Sequence, residues 1–404
     1  MGAFGVISAP LELADAQARL LALAAPLPIE RVPVAEALGR YLAEPLIARR
    51  TQPPADLSAM DGYAVRGADL PGPWRIIGES ACGHPFVGQM SHGEAVRIAT
   101  GALLPDGADT VLIQENCRRV GEQLTLLEPS APGKHIRRAG MDFAEGQTLL
   151  SAGTRLGPAQ LGLALSAGHR LIAVRRAVRL AIIDSGDELT SDPENCAVHQ
   201  IPASNGAMLA ALAASLPCRI SHGAPVPDRI DALVDALEQA AQNDLIVTSG
   251  GASVGDHDLL QPALEQWGAT LDFWRVAIKP GKPLLVARKG RTLVLGLPGN
   301  PVSSHVTAYL FMLPVLRALL GASAALPRPI TANLAVSLPV GGVRREFIRA
   351  QWDGAMVDPR TNQDSGALAT LAASNALIDR PAGAAAAPAG TAVPVYLLDT
   401  GAIA

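Results

Sequence analysis

Four short, mostly apolar runs carry the second half of the chain: Val178–Ile183, Leu245–Val247, Pro283–Ala287 and Thr292–Leu295. Runs of that length and character suit strands covered on both faces. Helical spacing fills the intervals. Asn205–Leu216 is one such stretch, and Ile230, Leu233, Val234 and Leu237 fall at i, i+3, i+4 and i+7 in the next. A further helix is expected from Asp258, and a long one from Pro301 to Leu320. Alternating strands and helices predict a three-layer α/β domain over residues 178–327, a parallel-type sheet with helices on both faces. Ligands of such sheets bind at the carboxyl ends of the strands.

The flanking segments have other textures. Leu11–Ala25 lacks glycine and proline, with Leu13, Ala16, Leu20 and Leu23 near one face, and reads as a helix. A second helix is expected over Val34–Tyr41. From Thr51 to Ser151 the pattern turns to short alternating runs, Ala95–Ala99, Thr110–Ile113 and Gln123–Leu127, punctuated by Pro105-Asp-Gly107 and Pro132-Gly133. This predicts an inserted, mostly β domain over 51–151. Pro158–Gly168 returns to helix, so residues 1–50 and 152–177 read as one discontinuous helical domain. Ala325–Pro329 reads as a linker, and 328–404 as a C-terminal β domain of short strands and turns.

Composition narrows the function classes. At 404 residues, 49% hydrophobic and 17% charged, the chain has material for several packed cores. A formal charge of -4 without a basic block argues against nucleic acid as a partner. The N-terminus carries no basic stretch followed by an apolar core, and the run Val306–Leu320, broken by Pro314 and Arg317, is too short to span a bilayer. No membrane role is expected. Cys82, Cys117, Cys196 and Cys218 are widely spaced thiols without zinc or redox spacing, which points to a reducing, cytoplasmic location.

The loops that leave the predicted parallel strands hold the chemistry. Thr248–Gly255 contains three glycines and three hydroxyls in eight residues, followed by Asp256 and Asp258. A strand, a glycine-rich loop and a helix aim backbone N–H groups at an anion, and the two carboxylates suit a divalent cation. Asp184-Ser-Gly-Asp-Glu188 places three carboxylates beside a glycine, and Gly296-Leu-Pro-Gly-Asn-Pro301 opens a helix. Lys279-Pro-Gly-Lys-Pro283 sets two ammonium groups around a rigid turn, a fit for an oxyanion. These residues reach a phosphate-bearing ligand, a divalent cation and an anion site, and do not name a reaction.

A set of longer segments does. Ser58-Ala-Met-Asp-Gly-Tyr-Ala-Val-Arg66, Arg97-Ile-Ala-Thr-Gly101, Pro105-Asp-Gly-Ala-Asp-Thr110, Ser185-Gly-Asp-Glu-Leu189, Thr248–Asp258, Lys279–Pro283 and Gly296–Ser303 occur in order along the whole chain. In these segments it resembles the molybdopterin molybdenumtransferase family, which inserts molybdenum during molybdenum-cofactor biosynthesis. The resemblance implies a pterin-binding α/β domain, a C-terminal β-barrel-like domain and an elongated homodimer. In that dimer the active cleft lies between the α/β domain of one subunit and the inserted β domain of its partner. It implies conversion of adenylylated molybdopterin and molybdate, with Mg²⁺, to molybdenum cofactor and AMP. The protein partners it suggests are the molybdopterin adenylyltransferase and molybdoenzyme chaperones.

Carried over by position, Asp61, Thr100, Asp142, Glu188, Asp258, Lys279 and Lys282 are the implied catalytic residues, with Glu188, Asp256 and Asp258 toward the metal. Ser185, Gly186, Asp187, Ser249, Gly250, Gly251, Ser253 and Gly255 would hold the pterin phosphate or nucleotide. Pro298, Asn300 and Pro301 would shape the cleft floor, and Arg344 and Ser365 would join the lysines near molybdate. Cationic and hydroxyl donors suit a tetrahedral dianion, and carboxylates suit Mg²⁺. The chain departs from the family pattern in two loops. It has Asp184-Ser185 where serine and threonine are usual before Gly186, and Ala203 where a carboxylate usually opens the next helix. Met141 and His135 also replace residues common in their segment. Ala203 supports a second reading, a cofactor-binding or carrier protein without turnover. An adenylyltransferase would leave the β domain and C-terminal module unexplained.

Overall fold

The computed structural model describes residues 10–251 and 259–398. Four implied site residues, Ser253, Gly255, Asp256 and Asp258, lie outside the described residues, as does the expected helix start at Asp258. The central sheet has six strands in the order Cys218–His222, Val178–Asp184, Leu245–Ser249, Thr292–Leu297, Leu285–Lys289, Thr270–Trp274. The first four run parallel, and the hairpin through Leu285–Lys289 adds antiparallel pairing at one edge. Alternation along the strands feeds two cores. Leu180, Ile182, Val247 and Leu295 pack with Leu209 of helix Ser204–Ala213 and with the Pro301–Leu319 helix. Ala181, Ile183, Ile246 and Val294 pack with Leu233 and Leu237 of helix Ile230–Gln239 and with Leu260 and Leu264 of helix Leu260–Trp267.

The long helix expected from Pro301 to Leu320 is present as Pro301–Leu319 and runs through Pro314. It accommodates the missing N–H with a wide π turn over Ala308–Met312. The helix has the length and apolarity of a membrane span, but 89% of its most apolar window is buried in the core. The N-terminal helix, Leu13–Leu23, lays Leu13, Ala16 and Leu20 against the same core. Its buried Gln17 donates from Nε2 to the carbonyl of Leu310 inside the wide turn, at 2.9 Å.

Val34–Tyr41 is not helical. Ile29–Pro33 is a strand, paired antiparallel with Leu171–Arg175, and a single 3₁₀ turn over Val34–Glu36 follows. Gly39 then turns the chain at φ +75°, where a helix cannot continue. The strand's partner lies beyond the insertion, so local periodicity could not reveal it. That pairing, with Val34, Leu42, Leu156 and Ala164 beneath it, joins segments from either side of residues 51–151.

Residues 62–126 form a six-stranded sheet in the order Thr110–Ile113, Gly62–Val65, Glu94–Ile98, Trp74–Ser80, Gln123–Leu126, Cys117–Val120. In the C-terminal region, Arg345–Trp352, Met356–Pro359, Ile330–Leu334, Ala392–Leu397 and Ala376–Arg380 pair in sequence around a closed barrel. Pairing of the first with the last closes it. The two-residue strand Ile278–Lys279 adds to Arg345–Glu346 and ties the barrel to the α/β domain.

Candidate active site

Chain connections diverge between the Val178–Asp184 and Leu245–Ser249 strands, because the helix after one lies on the opposite face from the helix before the other. Such a switch point opens a crevice at the strand ends. Here it is a cleft of about 780 Å³. Asp184, Ser249 and Leu297 stand in register at its base. The Ser185 amide donates to the Ser249 carbonyl at 3.0 Å, and the Gly250 amide to Leu297 at 3.3 Å. Gly250 has φ +103°, and a Cβ there would lie 2.3 Å from the Ser185 carbonyl oxygen, so only glycine lets the two loops approach this closely.

The walls come from segments further along the chain and from the rest of the Asp184–Leu189 loop. Helix Ser204–Ala213 points its N-terminus into the cleft, and its Asn205 donates from Nδ2 to Ser249 Oγ at 2.9 Å and to the Gly299 carbonyl at 2.6 Å. Pro298, Gly299, Asn300 and Pro301 form the facing wall. There Asn300 Nδ2 donates to Ser365 Oγ at 3.1 Å, and the Val302 amide donates to the Ser365 carbonyl at 3.1 Å. The barrel thus closes one side, contributing Gly366 and Leu368. Glu188 lines the opposite side; a Cβ on Gly186 would come within 2.6 Å of its carboxylate, so the glycine leaves the acid room to fold back. Asp187 and Asp228 latch their loops reciprocally. The Asp228 amide donates to Asp187 Oδ1 at 3.0 Å, and the Asp187 amide to Asp228 Oδ2 at 3.4 Å.

Of the implied site residues, Ser185, Gly186, Glu188, Ser249, Gly250, Gly251, Pro298, Asn300 and Pro301 line this cleft, with Asp187 and Ser365 bonded to its walls. Lys279, Lys282 and Arg344 do not line it, although Pro283 does. Lys279 Nζ is paired with Glu346 at 2.9 Å, and Arg344 Nη1 donates to the Ile278 carbonyl at 3.1 Å. Asp61, Thr100 and Asp142 do not line the cleft either. Asp61 and Thr100 form their own exposed pair, with Asp61 Oδ1 accepting from the Thr100 amide at 2.7 Å and hydroxyl at 3.0 Å. The Thr100 amide, then its hydroxyl, holds the Asp61 carboxyl below the usual carboxylate range, and the Arg97 guanidinium adds to the effect.

Residues absent from the implied set also stand here: Asp184 and Asp228 on the walls, and Arg349 behind the barrel loop. Arg349 is 1% exposed and donates from Nη2 to the Asn362 carbonyl at 3.0 Å. Asp228 follows Pro227 just before helix Ile230–Gln239, a proline–acid pair visible in the sequence. Nothing local distinguishes Arg349 from other barrel arginines. Among the described residues no group of three His, Cys, Asp or Glu side chains is gathered for a metal.

Residues 181–318 match the family model described as a probable molybdopterin binding domain. Residues 11–168 match the MoeA N-terminal region, domains I and II, and residues 331–398 the MoeA C-terminal region, domain IV. A molybdopterin molybdenumtransferase from Haemophilus influenzae is 36% identical over 316 residues, covering 77% of this chain and 78% of that protein. The chain belongs to the molybdopterin molybdenumtransferase family. A family member from Staphylococcus aureus is 28% identical over 403 residues, 97% of this chain and 96% of its own. A crystal structure of a molybdopterin biosynthesis MoeA protein from Pyrococcus horikoshii superposes with a TM-score of 0.84 at 27% identity, over 96% of this chain and 100% of that one. The multidomain architecture, α/β pterin-binding domain and closed barrel are those of the molybdenumtransferase fold. Most of the cleft wall lies in the molybdopterin-binding segment, and the loop closing it belongs to domain IV.

Proposed function

We propose that this chain is a molybdopterin molybdenumtransferase, joining molybdenum from molybdate to adenylylated molybdopterin and releasing AMP. The observation that carries this is the 780 Å³ cleft at the switch point, within the segment matched to molybdopterin binding. Its glycine turn at Gly250 and Gly251 brings backbone close enough to meet a phosphate, while Glu188 supplies an acidic wall.

Mg²⁺ is ordinarily held through one or two carboxylates plus substrate phosphates rather than by a full protein cage. Glu188, on the cleft wall, suits that mode. Glu188, with Asp256 and Asp258, is the proposed ligand set, and the ion's contribution is charge neutralisation at the diphosphate. Lys279 and Lys282, with Arg344 and Ser365, are proposed to receive molybdate. Lys279 Nζ pairs with Glu346 of the barrel strand.

No residue of 51–151 lines the chain's own cleft. This supports a homodimer in which Asp61, Thr100 and Asp142 of one subunit complete the cleft of the other. The four-domain division at 50/51, 151/152, 177/178 and 327/328 belongs to this reading. So do a cytoplasmic location and contacts with the adenylyltransferase and molybdoenzyme chaperones.

The carrier alternative rests on Ala203, which stands where a carboxylate usually opens helix Ser204–Ala213. Asp184 Oδ2 accepts from the Gly206 amide of that helix at 3.1 Å, so the helix end remains capped. The decisive experiment incubates the protein with adenylylated molybdopterin, molybdate and Mg²⁺ and follows AMP. Molybdate-dependent release is expected. Tight binding of the substrate with no release would return the carrier reading.

A further inference from the structure

Asp184 has no part in the reaction as described, and its surroundings ask for one. It ends the Val178–Asp184 strand on the cleft wall, with 2% of its surface exposed. Its Oδ2 accepts from the Gly206 amide at 3.1 Å and lies 2.9 Å from His222 Nε2. Gly206 is the third residue of its helix, so its N–H belongs to the turn that no helix carbonyl can reach. Ala203 has no side chain to take it, and the neighbouring strand's carboxylate does so instead. The packing admits no variation. A Cβ on Gly206 would lie 2.1 Å from His222 Nε2 and 2.3 Å from Asp184 Oδ2. One oxygen is therefore fixed from two sides. The other, Oδ1, is buried without a hydrogen-bond partner among the described residues. A buried carboxylate oxygen with no donor carries a desolvation cost that a bound donor would relieve.

We propose that Asp184 Oδ1 accepts a hydrogen bond from an N–H of the substrate's pterin ring and so sets which way round the substrate lies in the cleft. The inference rests on the transferase reading. Ionised phosphate and diphosphate groups offer no donor, and a buried carboxylate repels them. The helix amide that would otherwise attract an anion is already occupied by Asp184. The anionic part must then lie toward Gly250 and Gly251, with a donor-bearing ring edge at Asp184. A pterin presents amino and ring N–H donors side by side along one edge of a flat ring. Adenine presents its amino group alone, and ribose has no flat face. Leu189, Ile201 and Pro202, which also line the cleft, suit a flat apolar face.

Asp184→Asn tests this at constant size. Its carbonyl can still accept from the Gly206 amide, which turns an NH₂ donor toward the cleft in place of an acceptor. Binding of molybdopterin and of AMP is measured for both proteins, with a thermal melt for each. Molybdopterin should bind the variant about tenfold more weakly, equivalent to about 1.4 kcal/mol, with AMP affinity unchanged. Equal molybdopterin affinity in the two proteins overturns the assignment, as does an equal loss for both ligands. A parent protein that binds no molybdopterin sinks the transferase reading and this inference with it; a parent that binds, alongside an unaffected variant, sinks this inference alone. If the variant does not fold, the parent is tested with a simple pterin and its ring-N-methylated counterpart as competitors for molybdopterin. The methylated compound should compete about tenfold less well, and equal competition overturns the proposal.

Discussion

Gly250 shows how a single residue sets the cleft's shape. An alanine there meets two penalties, a left-handed φ of +103° and a Cβ 2.3 Å from the Ser185 carbonyl oxygen, a backbone atom that cannot swing aside. We expect Gly250→Ala to cost more than about 2 kcal/mol of stability and to abolish substrate binding. A lowered urea midpoint checks the first part. Gly251, at φ +65° with its nearest neighbour 3.4 Å away, should pay only the backbone strain and give a smaller drop. Asp61 makes a prediction of another kind. The Thr100 amide is the first cause of its lowered pKa and the hydroxyl the second. Thr100→Val keeps the amide, so the Asp61 carboxyl should rise only part of the way to about 3.9. Carbon-detected NMR titration reads this directly, and a full return to the ordinary value would assign the effect to the hydroxyl. The sign for stability follows from linkage. A carboxyl held low in the folded state contributes stabilisation above its ordinary pKa and loses it as pH falls through the folded value. Asp61 is exposed, so that contribution is screened and small.

At the scale of elements, the contact between barrel and helix is one that local pattern could not foretell. Asn300 opens the Pro301–Leu319 helix and donates to Ser365, while the Ser365 carbonyl takes the Val302 amide. A loop of the barrel thus satisfies a helix end more than sixty residues away in sequence. Asn300→Ala should remove one of the two bonds, weaken the docking by about 1 kcal/mol and speed amide exchange about fivefold. The change should be confined to residues 362–366 and readable by hydrogen-exchange mass spectrometry; exchange spread through the barrel would refute it. The same contrast explains which features were legible. Leu245–Val247 and Thr292–Leu295 are apolar enough to announce buried strands, and the glycines of their exit loops mark the cleft. Ile29–Pro33 alternates with charges and pairs with a strand beyond an entire inserted domain, so its helix-like continuation to Tyr41 misled. Asp184 was visible as one of three carboxylates beside a glycine. Its role depends on His222 and Gly206, which only the folded sheet brings to it.

At the scale of the whole molecule, the inserted β segment stands apart from the chain's own cleft. Residues of the α/β domain and barrel line the cleft, whereas Asp61 and Thr100 lie beside the ends of strands Gly62–Val65 and Glu94–Ile98 and bond to each other. If the cleft of one subunit is completed by the inserted domain of its partner, lesions in the two places must complement in trans. Asp61→Ala and Glu188→Ala chains would each be inactive as homodimers. A mixed dimer holds one site that carries both lesions and one that carries neither. Random assembly of equal amounts makes half the dimers mixed, so about a quarter of the parental AMP release should return. Co-expression with two affinity tags allows the mixed dimer to be purified, where half of the parental activity per dimer is expected on the same count. Complementation that fails in a verified mixed dimer would mean that each chain builds its site alone. Asp61 would then have to reach its own cleft by a domain movement, and a crosslink between Asp61→Cys and Glu188→Cys within one subunit would detect it.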